Sequence, residues 1–219
     1  MTAGAQAESP LWHGTERDVR DTERRRRLLE AALELYGTVG YGSTTVGAVC
    51  RLAKVSTRSF YELYSEHQEL LAHLYLDLNQ EVLGAITGGS GAPAGDVLAA
   101  TRMLVAAALG PMLADERKAR VMQVEVVGVS AELERQRRHT NRQLAGAVDE
   151  AFEGFAAAGL IDEAPGGLAG IILIGGITEA LVQRVQTDPG LRGPTPEFID
   201  SIAKVIVTMT GRQAGLPGS

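Results

Sequence analysis

The sequence predicts an all-α protein: a small N-terminal three-helix helix-turn-helix domain followed by a larger C-terminal helical bundle. Three observations predict it. From Arg24 onward, apolar residues recur at three- and four-residue spacing, with no alternating run long enough for a useful strand. Glycine, proline and capping residues cut this pattern into short segments before residue 68 and longer ones after it. The 219 residues, 45% hydrophobic and 22% charged, suffice for a buried core and exclude disorder across the whole chain.

Residues 1–20 carry Glu8, Glu16 and Asp18 without an apolar run, so they read as a flexible tail that lacks the core of a signal peptide. The first helix spans Arg24 to Val39, with Leu28, Leu29, Ala32, Leu33, Leu35, Tyr36 and Val39 on one broad face and Gly40 just past its end. A second helix starts at Thr44 and Thr45 and runs to about Ala53, with Val46, Val49, Cys50 and Ala53 on one side. After a break at Lys54 and Val55, Ser56 caps a third helix over Thr57 to Tyr64. Longer elements follow: Leu70 to Ile86, a Gly/Ala/Ser/Pro loop over 87–95, and Val97 to Leu109 capped by Asp96 and interrupted by Pro111. Asp115 then caps Glu116 to Val129, and Ala131 to Ala158 ends at Gly159. The last two helices are Leu168 to Val185 and a segment from Thr195 and Pro196 to Thr210.

The second helix, the short break and the third helix have helix-turn-helix spacing, in which the second helix of the pair enters the DNA major groove. With Phe60 pointing inward, a rotation of about 100° per residue brings Leu63 and Tyr64 near it and turns Arg58 and Glu62 away. An arginine fork there matches the O6 and N7 acceptors of guanine. Thr57, Ser59 and Tyr61 add hydroxyls for bases or phosphates.

The net charge of -6 and a pI near 5.3 argue against a polyanionic partner only as averages. With seven basic residues against Glu30 and Glu34, the segment from Arg24 to Arg58 carries +5, leaving -11 on the remainder. The run Arg24 to Arg27 is placed to grip phosphates ahead of the first helix, blunted by Asp18, Asp21 and Glu23. The single cysteine, Cys50, excludes an internal disulfide and a thiolate metal cage, so a reducing cytoplasm is expected. No phosphate loop, His-Glu-x-x-His, Glu-x-x-His or Gly-x-Ser-x-Gly motif occurs, so neither catalysis nor a cofactor is expected. The most apolar stretch, Leu168 to Ile177, is too short to span a bilayer, so no membrane partner is expected.

The run RRRRLLEAALELYGTVGYGSTTVGAVCRLAKVSTRSFYELYSEHQELL, Arg24 to Leu71, resembles the DNA-binding domain of the TetR family of transcriptional regulators. The matching features are Ala31 and Ala32, Gly40 and Tyr41, Thr44-Thr45-Val46, Val55-Ser56, Phe60-Tyr61, Tyr64 and Leu70. The resemblance implies a homodimer on a palindromic double-stranded operator, usually a repressor, released when a small molecule enters the C-terminal bundle. An activator, or control by a protein partner, is the alternative. Residues 21–68 are then the DNA-binding domain and 69–219 the ligand-binding and dimerisation domain. Thr45, Tyr61 and Tyr64 would hold phosphates, while Thr57, Arg58 and Ser59, beside the capping Ser56, would approach bases. Three positions depart from the family pattern. Lys54 stands where glycine is frequent, Cys50 replaces a small alanine, and His67 replaces a phosphate-binding lysine, making that contact stronger as pH falls.

Inside the bundle the expected effector contacts are Gln123, Glu125 and its candidate partner Arg102, together with Phe152 and Phe155. Few aromatics and many aliphatics favour an apolar or amphipathic effector. The Gly175-Gly176 pair permits close helix approach, and the last two helices are expected to form the dimer interface.

Overall fold

The structure is a computed structural model that describes residues 11–88 and 96–210. Among the described residues it consists of nine α-helices, two short 3-10 turns and one π-helical turn, with no strand. The all-α expectation holds.

Helix α1, Leu11–Thr38, begins thirteen residues earlier than its apolar period, so the predicted tail is helical over 11–20; residues 1–10 lie outside the described residues. Residues 17–27 include no buried side chain. They are stitched instead by charge pairs one turn apart, Arg17 with Asp21 at 3.8 Å, Arg24 with Asp21 at 3.1 Å and Arg26 with Glu23 at 2.6 Å. Helix α2, Val46–Ala53, is capped by the Thr45 hydroxyl, which accepts from the Ala48 amide at 3.2 Å. Helix α3, Thr57–Leu63, is capped by Ser56, which accepts from the Ser59 amide at 3.0 Å. Leu28, Tyr36, Val49, Phe60 and Tyr64 close this domain's core and fix the angle between α2 and α3.

Lys54, between α2 and α3, has φ 54° and ψ 42°, the left-handed conformation that glycine adopts most easily. Lys54→Gly is expected to raise folding stability by about 0.5–1 kcal/mol, relief of the side-chain clash outweighing glycine's extra unfolded-state entropy. Urea unfolding of the two proteins checks this, and a lower midpoint in the glycine variant would show that Lys54 carries no strain.

Helix α4, His67–Gly88, leaves the helix-turn-helix unit and becomes the first wall of the bundle. Its entry is set by Glu69, whose carboxylate accepts from the Ser65 amide at 2.6 Å and the Ser65 hydroxyl at 2.8 Å. The remainder of the predicted loop, 89–95, lies outside the described residues. Helix α5, Val97–Ala114, runs through Pro111 where an interruption was expected; a proline removes only one ladder bond, and the Asp115 amide still donates to the Pro111 carbonyl at 3.3 Å. By length and composition α5 is apolar enough to cross a membrane, yet here it packs between α4 and α9, with Arg102 paired to Asp200.

The predicted single helix Glu116 to Val129 is in fact a short α6, Glu116–Arg120, followed by the π-helical turn Val121–Glu125 and a left-handed Gly128. The wider turn buries Val121 and Met122 while leaving Gln123 and Glu125 free to face different neighbours. Helix α7, Ala131–Ala157, capped by Ser130, and α8, Ala169–Gln186, pack side by side, and α9, Thr195–Met209, lies along α5.

Candidate nucleic-acid interface and internal cavity

The outward face of α3 is polar and open. Thr57, Arg58, Tyr61 and Glu62 are exposed, and Arg58 is the most extended of them at 89% side-chain exposure. Its Nε donates to Glu62 at 3.2 Å, so the guanidinium lies along the helix surface with its Nη atoms turned away from the core. Ser59 is half-buried, and its hydroxyl accepts from Ser56 at 2.9 Å while retaining its own proton for an external acceptor. Thr45 and Ser56 are exposed at the N-terminal ends of α2 and α3, where the helix dipoles favour an anion.

The basic run is less free than its charge suggests. Arg24 lies 3.9 Å from Glu62 as well as on Asp21, Arg26 is held by Glu23 and Glu30, and Arg27 is 3.5 Å from Glu23. Arg25 is exposed with no carboxylate within 4.0 Å among the described residues. The blunting expected from the preceding acids is therefore visible as ion pairs.

Two expected phosphate contacts are corrected. Tyr64 is 1% exposed and packs against Phe60, with its hydroxyl inside the domain and without a hydrogen-bond partner; burial pushes its pKa up to about 12. A ring seated in the core cannot reach a phosphate outside it. His67 is stacked on Tyr41 at 4.7 Å and meets Tyr36 edge-on at 5.5 Å, and its Nε2 is buried without a partner. Burial lowers its pKa, so the neutral ring is favoured and no phosphate can approach that nitrogen.

The consequence for pH is opposite to a strengthening contact. The unfolded chain takes up a proton on His67 as pH falls below about 6.5, while the folded chain resists it until lower pH, so stability is fully present above that point and lost beneath it. Unfolding midpoints are expected to fall between about pH 7 and pH 5, and to fall less in His67→Gln. Identical pH slopes for the two proteins would refute this.

The bundle encloses a cavity of about 120 Å³. Gln123, Phe152 and Phe155 line it together with Asn141, and so do Met122, Tyr75, Asn79 and Arg137, which the sequence did not single out. Glu125 and Arg102 do not belong to it. The Glu125 carboxylate accepts from the Tyr41 amide at 2.7 Å and from Arg120 Nε at 2.9 Å, and Arg120 donates onward to the Thr38 carbonyl at 3.0 Å. Gly40, at φ 99°, makes room for this clamp: a Cβ there would stand 3.3 Å from Glu125 and 3.4 Å from Arg120. Arg102 is partnered by Asp200 on α9, 98 residues away in sequence, and so is unavailable to Glu125. Both expected contacts are structural ion pairs instead.

Residues 28–74 match the family described as bacterial regulatory proteins, tetR family. No curated protein sequence matches the chain. Among crystal structures, the fatty acid degradation regulator FadR from Bacillus halodurans superposes with a TM-score of 0.72 at 17% identity, covering 92% of this chain and 97% of that one. A tetR-family regulatory protein from Rhodococcus RHA1 gives 0.68 at 22% identity, over 85% and 96% of the two chains. FadR from Bacillus subtilis, solved in complex with stearoyl-CoA, gives 0.70 at 17%, over 84% and 98%. Residues 28–74 thus match the tetR family of bacterial regulatory proteins, and within that matched segment α2 and α3 build the helix-turn-helix.

Proposed function

We propose that the protein represses transcription as a homodimer, gripping a palindromic operator with two copies of α3 and leaving it when an apolar or amphipathic molecule occupies the cavity. The observation that carries this reading is the π-helical turn Val121–Glu125: Met122 and Gln123 line the cavity, and two residues later Glu125 holds the Tyr41 amide of the DNA-binding domain. A ligand that moves the turn moves the clamp. The stearoyl-CoA complex of the Bacillus subtilis regulator supports an aliphatic effector for a bundle of this fold.

In this reading Arg58 reads guanine, Thr57 and Ser59 approach neighbouring bases, and Thr45 and Tyr61 hold phosphates. Dimerisation is supported by a shared apolar face on α8, where Leu168, Ile172, Gly175 and Gly176 are exposed, and by Val205 and Met209 on α9. Two reading heads must then span half-sites about 34–36 Å apart, a separation that rotation of either head destroys.

Titration of the purified protein against DNA upstream of its own gene, at several salt concentrations, tests the reading. Binding is expected to be specific and to weaken steeply with salt. Arg58→Ala is expected to cost about 1–2 kcal/mol of operator affinity. Unchanged affinity and salt slope in that variant would overturn the groove assignment. DNA binding that no apolar compound relieves would place control with a protein partner.

A further inference from the structure

Among the described residues Arg137 is the one charged residue that lines the cavity, and it lies at one end of the α7 lining, with Thr101, Gln123 and Thr178 adding uncharged polar groups. Along α7 its lining passes from Arg137 and Asn141 to Leu144, Ala147, Val148, Ala151, Phe152 and Phe155, and along α4 from Tyr75 and Asn79 to Val82 and Ile86. The two polar ends coincide, since Tyr75 is hydrogen-bonded to Thr140 and lies within the field of Arg137. Asn79 is buried, lines the cavity, and donates from Nδ2 to the Tyr75 carbonyl at 2.6 Å.

The polar end carries positive charge. Arg137 Nε donates to Glu134 at 3.2 Å, but Glu134 also lies 4.0 Å from Arg138 and accepts from the Gly128 amide at 3.2 Å. One carboxylate shared by two guanidinium groups leaves a net positive charge there, with the Arg137 Nη atoms available as a fork. An apolar tube closed by such a fork suits a chain that ends in a carboxylate.

We propose that the cavity is a site for an aliphatic carboxylate, its head held by Arg137 and Asn141 and its tail directed toward Phe152 and Phe155. This rests on the effector reading above and names the ligand class that the cavity selects. Because Gln123, from the π-helical turn, also lines the cavity, such a ligand lies within reach of the clamp on Tyr41.

The test is calorimetric titration of the full chain with octanoate, 1-octanol and stearoyl-CoA, each below its micellar concentration. Octanoate is expected to bind at least about tenfold more tightly than 1-octanol, the increment expected of a charge-assisted fork over a neutral hydroxyl. Arg137→Gln is expected to remove that preference while leaving 1-octanol affinity unchanged, which shows that the cavity is intact. Equal affinities of wild-type protein for the acid and the alcohol, or a preference that survives in Arg137→Gln, overturn the proposal. Binding of stearoyl-CoA in the absence of octanoate binding overturns the proposal. Octanoate binding that leaves DNA affinity unchanged supports this site and overturns the effector reading alone.

Discussion

Gly37→Ala is expected to lower folding stability by about 1–3 kcal/mol, even though alanine is the better helix former by about 1 kcal/mol. Gly37 sits in the last turns of α1, against which α6 is laid. A Cβ at that position would stand 2.3 Å from Arg117 Cβ and 2.8 Å from Arg117 Cα, closer than non-bonded carbons approach. Side-chain rotation cannot relieve an overlap with a backbone atom, so α6 must retreat. Arg117 is itself fixed from two sides, by Glu34 on α1 and by Asp115 at the cap of α6. Retreat therefore stretches the ion pair that joins the two domains. Urea unfolding monitored by circular dichroism measures the loss, and a variant as stable as the parent would show that α6 does not press on α1.

The DNA-binding domain was legible because its signals are local. Caps at Thr45 and Ser56, the inward Phe60 and the outward Arg58 follow from spacing within a few residues, and each is found as expected. The early start of α1 was not legible because the sequence ahead of Arg24 has no apolar period; over residues 17–26 the helix carries ion pairs one turn apart instead. Tyr64 and His67 failed for another reason: their phosphate roles came from the family resemblance, while the spacing already set the tyrosine beside the inward Phe60, and α4 returns over it so that burial forbids the contact. Glu125 and Arg102 were visible as polar residues in apolar helices, but the Tyr41 amide held by Glu125 and the Asp200 carboxylate held by Arg102 are 84 and 98 residues away, and no spacing rule reaches them. Asn79 and Arg137 carried the same polar-in-apolar signal at the cavity, and were passed over because α4 and α7 also bear many solvent-facing polar groups.

Glu125→Ala is expected to separate DNA binding from ligand response. The substitution removes the acceptor of the Tyr41 amide and the partner of Arg120, and with them two hydrogen bonds to a charged group, at a cost of about 2–3 kcal/mol in the docking of the two domains. The core of the DNA-binding domain makes no use of this carboxylate: Leu28, Tyr36, Val49 and Phe60 are fully buried against one another and against α4. Operator affinity in the absence of ligand is therefore expected to change less than about threefold, since only the angle of the head relative to the bundle is loosened. With the clamp gone, movement of the π-helical turn no longer reaches Tyr41, so the coupling energy between the cavity and the reading heads, typically about 1–3 kcal/mol, falls toward zero. Glu125→Gln keeps an acceptor for the amide but not the charge facing Arg120, and is expected to retain part of the response. Hydrogen exchange at the Tyr41 amide gives the direct measurement: slow in the parent, faster in Glu125→Gln and fastest in Glu125→Ala. Equal exchange in all three, or an undiminished release of DNA by a cavity ligand in the alanine variant, would show that the signal travels by another route.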